Sequence, residues 1–428
     1  VKRALLPPAE WIHGGERYLP HSIAAKIFEH LKCHGQKHPL IGRQQFEKCV
    51  VTVPVGFSGL QRRQIRLAME SCQLVLEAFV HEPFAAMISH FYDPHTKLEK
   101  LRGRRVLVFD WGGGTLDICV AEGSTDGSAL YELAHDGIAD HAGDDFDRRI
   151  MADMRGRFLK AHPEITNDDI DVRCRAADRF WMESERAKIN LSSEKETRVR
   201  VPRFLEGNDP IDLGADLTRK EFEALIENEV DRAVACALRC VAAARLTPSS
   251  IDYVIMVGGT SLIPLVRDRL QERFGTKVQV TKEPDAAIAR GAAIVAAEEW
   301  KPVNAVTLGC ELARGEFYTF LKRGEPLVAT NSKKSVFYCT DPRHGSATFV
   351  FARKPNDDSS EVIPTGELLQ VPVQHEFPKE FRELDRLIVR SSVTKDATLL
   401  IDVTHSGTGK TAEHEIADVS FGLHLKRT

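Results

Sequence analysis

Apolar and polar positions follow two different rhythms along the chain. Up to about residue 298, short apolar runs are separated by longer stretches in which apolar residues recur every three or four positions. The runs at 46–53, 75–80, 106–110, 116–120 and 251–257 predict strands, with shorter ones at 199–202 and 211–213. The stretches between them predict helices. One runs from Leu19-Pro20-His21-Ser22 towards Cys33, with His21 or Ser22 near its N-cap. Others carry Ile65, Leu67 and Met69, or open at His81-Glu82-Pro83, where Pro83 fits the first turn. Residues 171–191, 218–245, 263–274 and 286–297 complete the set. This alternation predicts a layered α/β domain. From residue 303 the pattern becomes short strands broken by turns, at 316–321, 334–340, 347–351, 367–373, 387–393 and 398–403, which predicts a separate β-sandwich. The expected division is an α/β domain over 1–298, a linker over 299–305 and the sandwich over 306–428.

The candidate chemistry is concentrated between Val106 and Val120. Gly112, Gly113 and Gly114 interrupt two apolar runs, which reads as a tight hairpin. Three glycines suit a turn that needs positive φ and no Cβ, so that backbone N–H groups can close on an anion. Asp110 ends the incoming strand, Asp117 lies in the outgoing one, and Thr115 adds a hydroxyl at the turn exit. Two carboxylates beside a phosphate cradle would repel a bare phosphate, so a hydrated divalent cation, magnesium, belongs between them. Taken alone, the stretch reads first as a glycine-rich hairpin with two solvated aspartates. Two further turns are of the anion-binding kind. Gly258-Gly259-Thr260-Ser261 joins a buried strand to a helix, and Gly143-Asp144-Asp145 opens another helix. The stretch Gly407-Thr408-Gly409-Lys410-Thr411 imitates a P-loop, but Thr404 stands where the first glycine is required, so it reads as a hairpin turn.

Composition narrows the classes. A formal net charge of −4 points to neither nucleic acid nor an anionic membrane surface, and no apolar run is long enough to span a bilayer. The nine cysteines are scattered, mostly among apolar residues such as those around Cys49, Cys72 and Cys119. They read as buried thiols in a reducing cytoplasm, not as disulfides, and their spacing gives little support to zinc binding.

Taken together, the segments resemble the DnaK-like chaperones, the seventy-kilodalton heat-shock family. Val51-Thr52-Val53-Pro54, His81-Glu82-Pro83, the 109–117 hairpin, Gly143-Asp144-Asp145-Phe146-Asp147, Glu185-Arg186-Ala187-Lys188, Val257-Gly258-Gly259 and Pro284-Asp285 occur in the family's order and spacing. The resemblance implies an actin-like (ribonuclease H-like) ATPase domain followed by a peptide-binding β-sandwich. It implies ATP or ADP with Mg²⁺ as cofactor, slow ATP hydrolysis, and unfolded or extended polypeptides as partners, with a J-domain co-chaperone and a nucleotide exchange factor. It also implies residue roles. Asp110 and Asp117 would hold the hydrated magnesium, with Glu82 completing its water shell. Thr115 and Gly112 to Gly114 would cradle the β- and γ-phosphates, and Lys2 would steady the γ-phosphate. Gly143 and Asp285 would line the nucleotide. Glu185, Lys188 and Ser192 would contact the adenosine, and Gly258 and Gly259 the sugar and α-phosphate. Pro54 and Arg62 would relay the nucleotide state outward.

Several departures accompany the match. The family's first phosphate loop is expected upstream of Lys2 and its helical lid after the sandwich, so the chain reads as N-terminally truncated and lidless. Leu262 replaces an arginine that lies over the adenine, and Ile189 stands where some members carry another arginine. His81, Phe84 and Ala78 differ from the usual Asn, Thr and Arg where the J-domain docks. Glu298-Glu299-Trp300-Lys301-Pro302 replaces the apolar linker. These departures favour an alternative, a divergent binding module without a productive ATPase cycle. A sugar kinase or filament protein of the actin-like superfamily is opposed by the all-β module.

Overall fold

The structure, a computed structural model, describes residues 5, 11–13, 15–39, 46–139, 141–207, 209–281, 283–339, 345–355, 359–373, 386–417 and 419–425. A small hairpin, β1 (Trp11–His13) and β2 (Glu16–Tyr18), precedes α1 (Pro20–Gln36). This helix starts before the expected cap at His21 or Ser22. Pro20 has no N–H to leave unsatisfied in the first turn, and the Leu19 carbonyl accepts from the amides of Ser22 and Ile23. β3 (Lys48–Val53) and β4 (Val75–His81) pair in parallel around α2 (Gly59–Ser71), and α3 (Glu82–Phe91) follows β4 directly. Ser58 and Gln61 close a reciprocal capping box at the start of α2.

β5 (Arg105–Trp111), β6 (Leu116–Gly123) and β7 (Ala129–Ile138) form an antiparallel meander. α4 (Gly143–Ala161), α5 (Asn167–Arg173) and α6 (Ala177–Ser193) follow, then the hairpin β8 (Glu196–Leu205) and β9 (Ile211–Thr218). The single helix expected over 171–191 is therefore two. The end of α5 is captured by the β8–β9 loop: Glu206 donates its amide to the Arg173 carbonyl, and the Arg173 Nε donates to the Glu206 carbonyl. α7 (Arg219–Ala243), β10 (Tyr253–Val257), α8 (Pro264–Phe274), β11 (Val278–Val280) and α9 (Ala287–Ala297) complete this part. One face of the meander and β10 is covered by α4, α6, α7 and α8, and the other by α3 and α9.

The C-terminal strands are β12 (Lys301–Asn304), β13 (Thr307–Glu311), β14 (Phe317–Leu321), β15 (Lys333–Tyr338), β16 (Ser346–Lys354), β17 (Ile363–Pro372), β18 (Arg386–Val393), β19 (Leu399–His405), β20 (Thr411–Ile416) and β21 (Phe421–His424). Eight of them form two antiparallel four-stranded sheets, ordered β14-β13-β16-β17 and β15-β18-β19-β20, which share one apolar core. The Gly407–Lys410 stretch is the turn between β19 and β20, as its missing glycine predicts.

The other two strands cross the expected boundary. The large sheet runs β11-β10-β5-β6-β7-β21-β12, so Lys301–Asn304, expected as linker, and Phe421–His424, expected as sandwich, both extend the α/β sheet. The physical reason is edge pairing. β7 offers an open ladder to β21, β21 offers one to β12, and Trp300, Leu423 and Leu425 bury their side chains in the core under α3 and α9. Val53 and Phe79, from β3 and β4, pack in the same core as the sandwich. A polar latch adds to this. Asp396, 2% exposed, accepts from Arg66 Nε at 2.7 Å and Arg63 Nε at 3.0 Å, and Arg62 Nη2 donates to the Ala417 carbonyl at 2.7 Å. Among the described residues no helix is long and apolar enough to cross a membrane.

All nine cysteines are free thiols, and burial pushes those of Cys119, Cys236, Cys240 and Cys310 upward, the last to about 12. A maleimide should therefore label exposed Cys33 in the native protein and reach these four only on denaturation, as peptide mapping would report. Asp396→Ala should lower stability by about 2 kcal/mol, because two guanidiniums lose one buried acceptor. Chemical denaturation would measure the loss, and an unchanged midpoint would mean that the latch contributes nothing.

Candidate functional site

The site is built on the β5–β6 hairpin. Its ladder pairs Asp110 directly with Asp117 and Trp111 with Leu116, so the two carboxylates stand opposite each other on one face. Both are nearly buried, at 6% and 5% exposure. The hairpin closes through the Gly112 amide, which donates to the Thr115 carbonyl at 3.0 Å, leaving Gly113 and Gly114 at the tip. Asp117 Oδ1 accepts the Val55 amide at 3.3 Å, which ties the pair to the segment that begins at Pro54.

The glycine turn is held from two sides. From α4, the amides of Gly143 and Asp144 donate to the carbonyls of Gly112 and Gly113, at 3.2 and 2.8 Å. From the β10–α8 turn, Thr260 Oγ1 donates to the Gly112 carbonyl at 2.9 Å. Two glycines make this approach possible. A Cβ on Gly143 would lie 2.6 Å from Thr260 Oγ1 and 3.1 Å from Gly113 Cα. Gly258 has φ +79°, and its Cβ would lie 2.4 Å from the Trp111 carbonyl oxygen and 2.8 Å from an Asp110 carboxylate oxygen. A side chain at Gly258 would displace the hairpin, and one at Gly143 would displace the Thr260 hydroxyl that grips it.

These elements enclose a cavity of about 1000 Å³. Its lining brings together most of the residues picked out from the sequence: Pro54, Glu82, Asp110, Gly112, Gly113, Gly114, Thr115, Asp117, Gly258, Gly259 and Asp285. Its charge is one-sided. Glu82, Asp110, Asp117, Asp136 and Asp285 contribute carboxylates, and no Lys or Arg lines it among the described residues. Such a cavity, lined by a glycine turn and by carboxylates, fits a hydrated hard cation together with phosphate.

Other expected residues lie apart from this lining. Lys188 is on α6, turned into the start of α4: its Nζ donates to the Gly143 carbonyl at 3.0 Å and to Asp147 Oδ2 at 2.9 Å. Burial lifts the Asp147 carboxyl above its ordinary value despite this ammonium. Ser192 directs its hydroxyl to the Lys188 carbonyl, and Glu185 is exposed. Leu262 and Ile189 expose apolar side chains, at 42% and 61%. Arg62 is buried, 5.8 Å from the Phe421 ring centroid, and so joins α2 to β21. Lys2 lies outside the described residues. Sequence reading missed His135, Asp136 and Gly137, which line the cavity at the end of β7; the Asp-Gly pair was their one local signal. It also read Thr260 as part of an anion-binding turn, whereas its hydroxyl donates to the Gly112 carbonyl.

Residues 7–335 match the model of the Hsp70 family, described as "Hsp70 protein". Two curated relatives, each named "Chaperone protein DnaK" and from two strains of Halobacterium salinarum, are 33% identical over 332 residues. The match covers 75% of this chain and 50% of each relative, so the chain spans about half the length of the curated relatives it matches. With more than half of its residues inside the family match, the chain belongs to the Hsp70 family.

Proposed function

We propose that the chain binds ATP and ADP with Mg²⁺ in this cavity, hydrolyses ATP slowly, and uses its β-sandwich to hold unfolded or extended polypeptide segments as a molecular chaperone. The observation that carries the reading is the Asp110–Asp117 pair. Two carboxylates opposed on one rung and largely withdrawn from water repel each other, and a hydrated divalent cation between them offsets that repulsion. Phosphate can then follow into a cavity that lacks basic side chains among its described lining residues.

In this reading Asp110, Asp117 and, through water, Glu82 hold the magnesium, which when bound supplies charge neutralisation for the phosphates. The glycine turn at Gly112 to Gly114 and the Thr115 hydroxyl cradle the β- and γ-phosphates, and Gly258 and Gly259 admit the sugar and α-phosphate. Asp117 orients the attacking water. The chain's contribution is positioning and charge complementarity, which suits a slow hydrolytic timer. Lys2 would steady the γ-phosphate. Lys188 serves by fixing the α4 N-terminus against the glycine turn, while Glu185, Ser192 and Asp285 border the nucleoside. Pro54 touches the cavity and Arg62 the Ala417–Phe421 segment, positions suited to a relay between nucleotide and sandwich. On the sandwich, Val350 and Leu368 are paired across β16 and β17 and both exposed, a surface suited to apolar polypeptide. A J-domain co-chaperone and an exchange factor are the expected partners, and the cytoplasm the expected location.

A second reading, a binding module without a productive cycle, is favoured by one observation: β12 and β21 and the Asp396 latch join sandwich and α/β sheet through continuous pairing and packing. Nucleotide-independent peptide affinity would distinguish it.

Calorimetric titration of the full chain should give magnesium-dependent binding of ATP and ADP; no binding in either condition would overturn the reading. Asp117→Asn should cut ATP turnover by about a hundredfold while leaving the protein folded, measured by phosphate release. Gly258→Ala should cost about 1–3 kcal/mol of stability and weaken nucleotide binding, because the turn must open to admit the methyl group.

A further inference from the structure

Behind the cavity wall lies a second group of ligand-type side chains that the nucleotide reading does not use. Glu132, on β7, is fully buried. Its carboxylate is shared by two imidazoles: Oε2 lies 2.8 Å from Nδ1 of His81, and Oε1 lies 2.5 Å from Nδ1 of His135. His81, at the end of β4, is 1% exposed, whereas His135 is half-buried and lines the cavity. One donor atom from each of the three residues lies within 4.8 Å of the other two.

The convergence depends on a local irregularity. Glu132 and His135 are three residues apart, and strand alternation alone would point them to opposite faces. The β6–β7 register shifts between Val120 and Ala121: Val120 pairs with Ala134, Ala121 with Glu132, and Leu133 is left over. That bulge returns Glu132 and His135 to one face, where His81 arrives from a different sheet. The His81 ring is backed by Phe421 of β21, with centroids 4.4 Å apart. Cys119 stands opposite His135 in β6.

The donor set separates this cluster from the cavity carboxylates. Asp110, Asp117 and Glu82 offer only oxygen, which suits magnesium. Two imidazole nitrogens and one carboxylate suit zinc and its neighbours, in the three-ligand pattern that leaves a position for water. Both Nδ1 atoms already aim at one carboxylate, so metal entry requires the Nε2–H tautomers and the exchange of two hydrogen bonds for coordination, without bringing in a distant side chain.

We infer that His81, Glu132 and His135 form a binding site for a divalent transition-metal ion of the zinc class, reached from the cavity past His135. The site stands whether or not the cavity binds nucleotide.

The test uses the full chain, stripped with a chelator and titrated with Co²⁺ in the absence of nucleotide. One equivalent should produce visible d–d bands without a thiolate charge-transfer band, and Zn²⁺ should displace it. Glu132→Gln and His135→Ala should each weaken Co²⁺ binding about tenfold or more. The double variant His30→Ala/His34→Ala, which removes a stacked pair on α1, should leave it unchanged. Because changes at a buried carboxylate can disturb folding, X-ray absorption of the unsubstituted Co²⁺-loaded chain gives a second readout, with two imidazoles and no sulfur expected. Absence of stoichiometric uptake, sulfur in the coordination shell, or loss of binding in the α1 double variant would overturn the assignment.

Discussion

Two carboxylates fixed across one rung of a β-ladder, Asp110 and Asp117, impose the conditions that the surrounding structure meets. Their separation is set by backbone hydrogen bonds, so mutual repulsion cannot be relieved by rotating the chain apart. The hairpin therefore has to be held from outside. The α4 N-terminus and Thr260 grip the glycine turn through its carbonyls. Gly258 lets the β10–α8 turn pass within contact distance of Trp111, where a methyl group would collide. Lys188 works one layer further back, pinning the residue that pins the turn. Each of these is a packing requirement before it is a binding contact.

The same sheet ties the two parts of the chain together. β21 and β12 extend it beyond β7, and their strand order reverses the chain order, so the polypeptide leaves for the sandwich and returns to the sheet it left. Phe421 stands at the return. It packs on His81 and lies under Arg62, which itself holds the Ala417 carbonyl. Pro54 and Glu82 touch the cavity, while Arg62 and His81 touch the returning strand. A change in the cavity and a change at the sandwich exit thus meet within a few side chains.

What could be read from the residues follows from how local each signal is. The 105–123 hairpin was legible because three glycines between apolar runs allow few alternatives, and the β10 turn because a buried strand leads straight into Gly258-Gly259. The P-loop imitation at Gly407–Lys410 was dismissed on one missing glycine, and it is a turn. The linker was not legible. β12 and β21 are four residues each and pair with partners more than a hundred positions away, so no window contains the evidence. The break between α5 and α6 is imposed by Glu206 from a later hairpin, and helical periodicity cannot report it. The histidine cluster was invisible for a related reason. Its geometry requires the bulge at Leu133 and a residue from another sheet. Of the expected nucleotide contacts, Glu185, Lys188 and Ser192 were placed by resemblance alone, and they lie, as Gly143 does, apart from the lining.

The most direct test of the central claim is a crystal structure of the full chain with a non-hydrolysable ATP analogue and Mn²⁺ in place of Mg²⁺, phased for the metal's anomalous signal. The account predicts one strong peak between Asp110 and Asp117, with the analogue's phosphates against Gly112 to Thr115 and its sugar beside Gly258 and Gly259. An ordered nucleotide whose phosphates lie away from the hairpin, or a metal that avoids both aspartates, would contradict it.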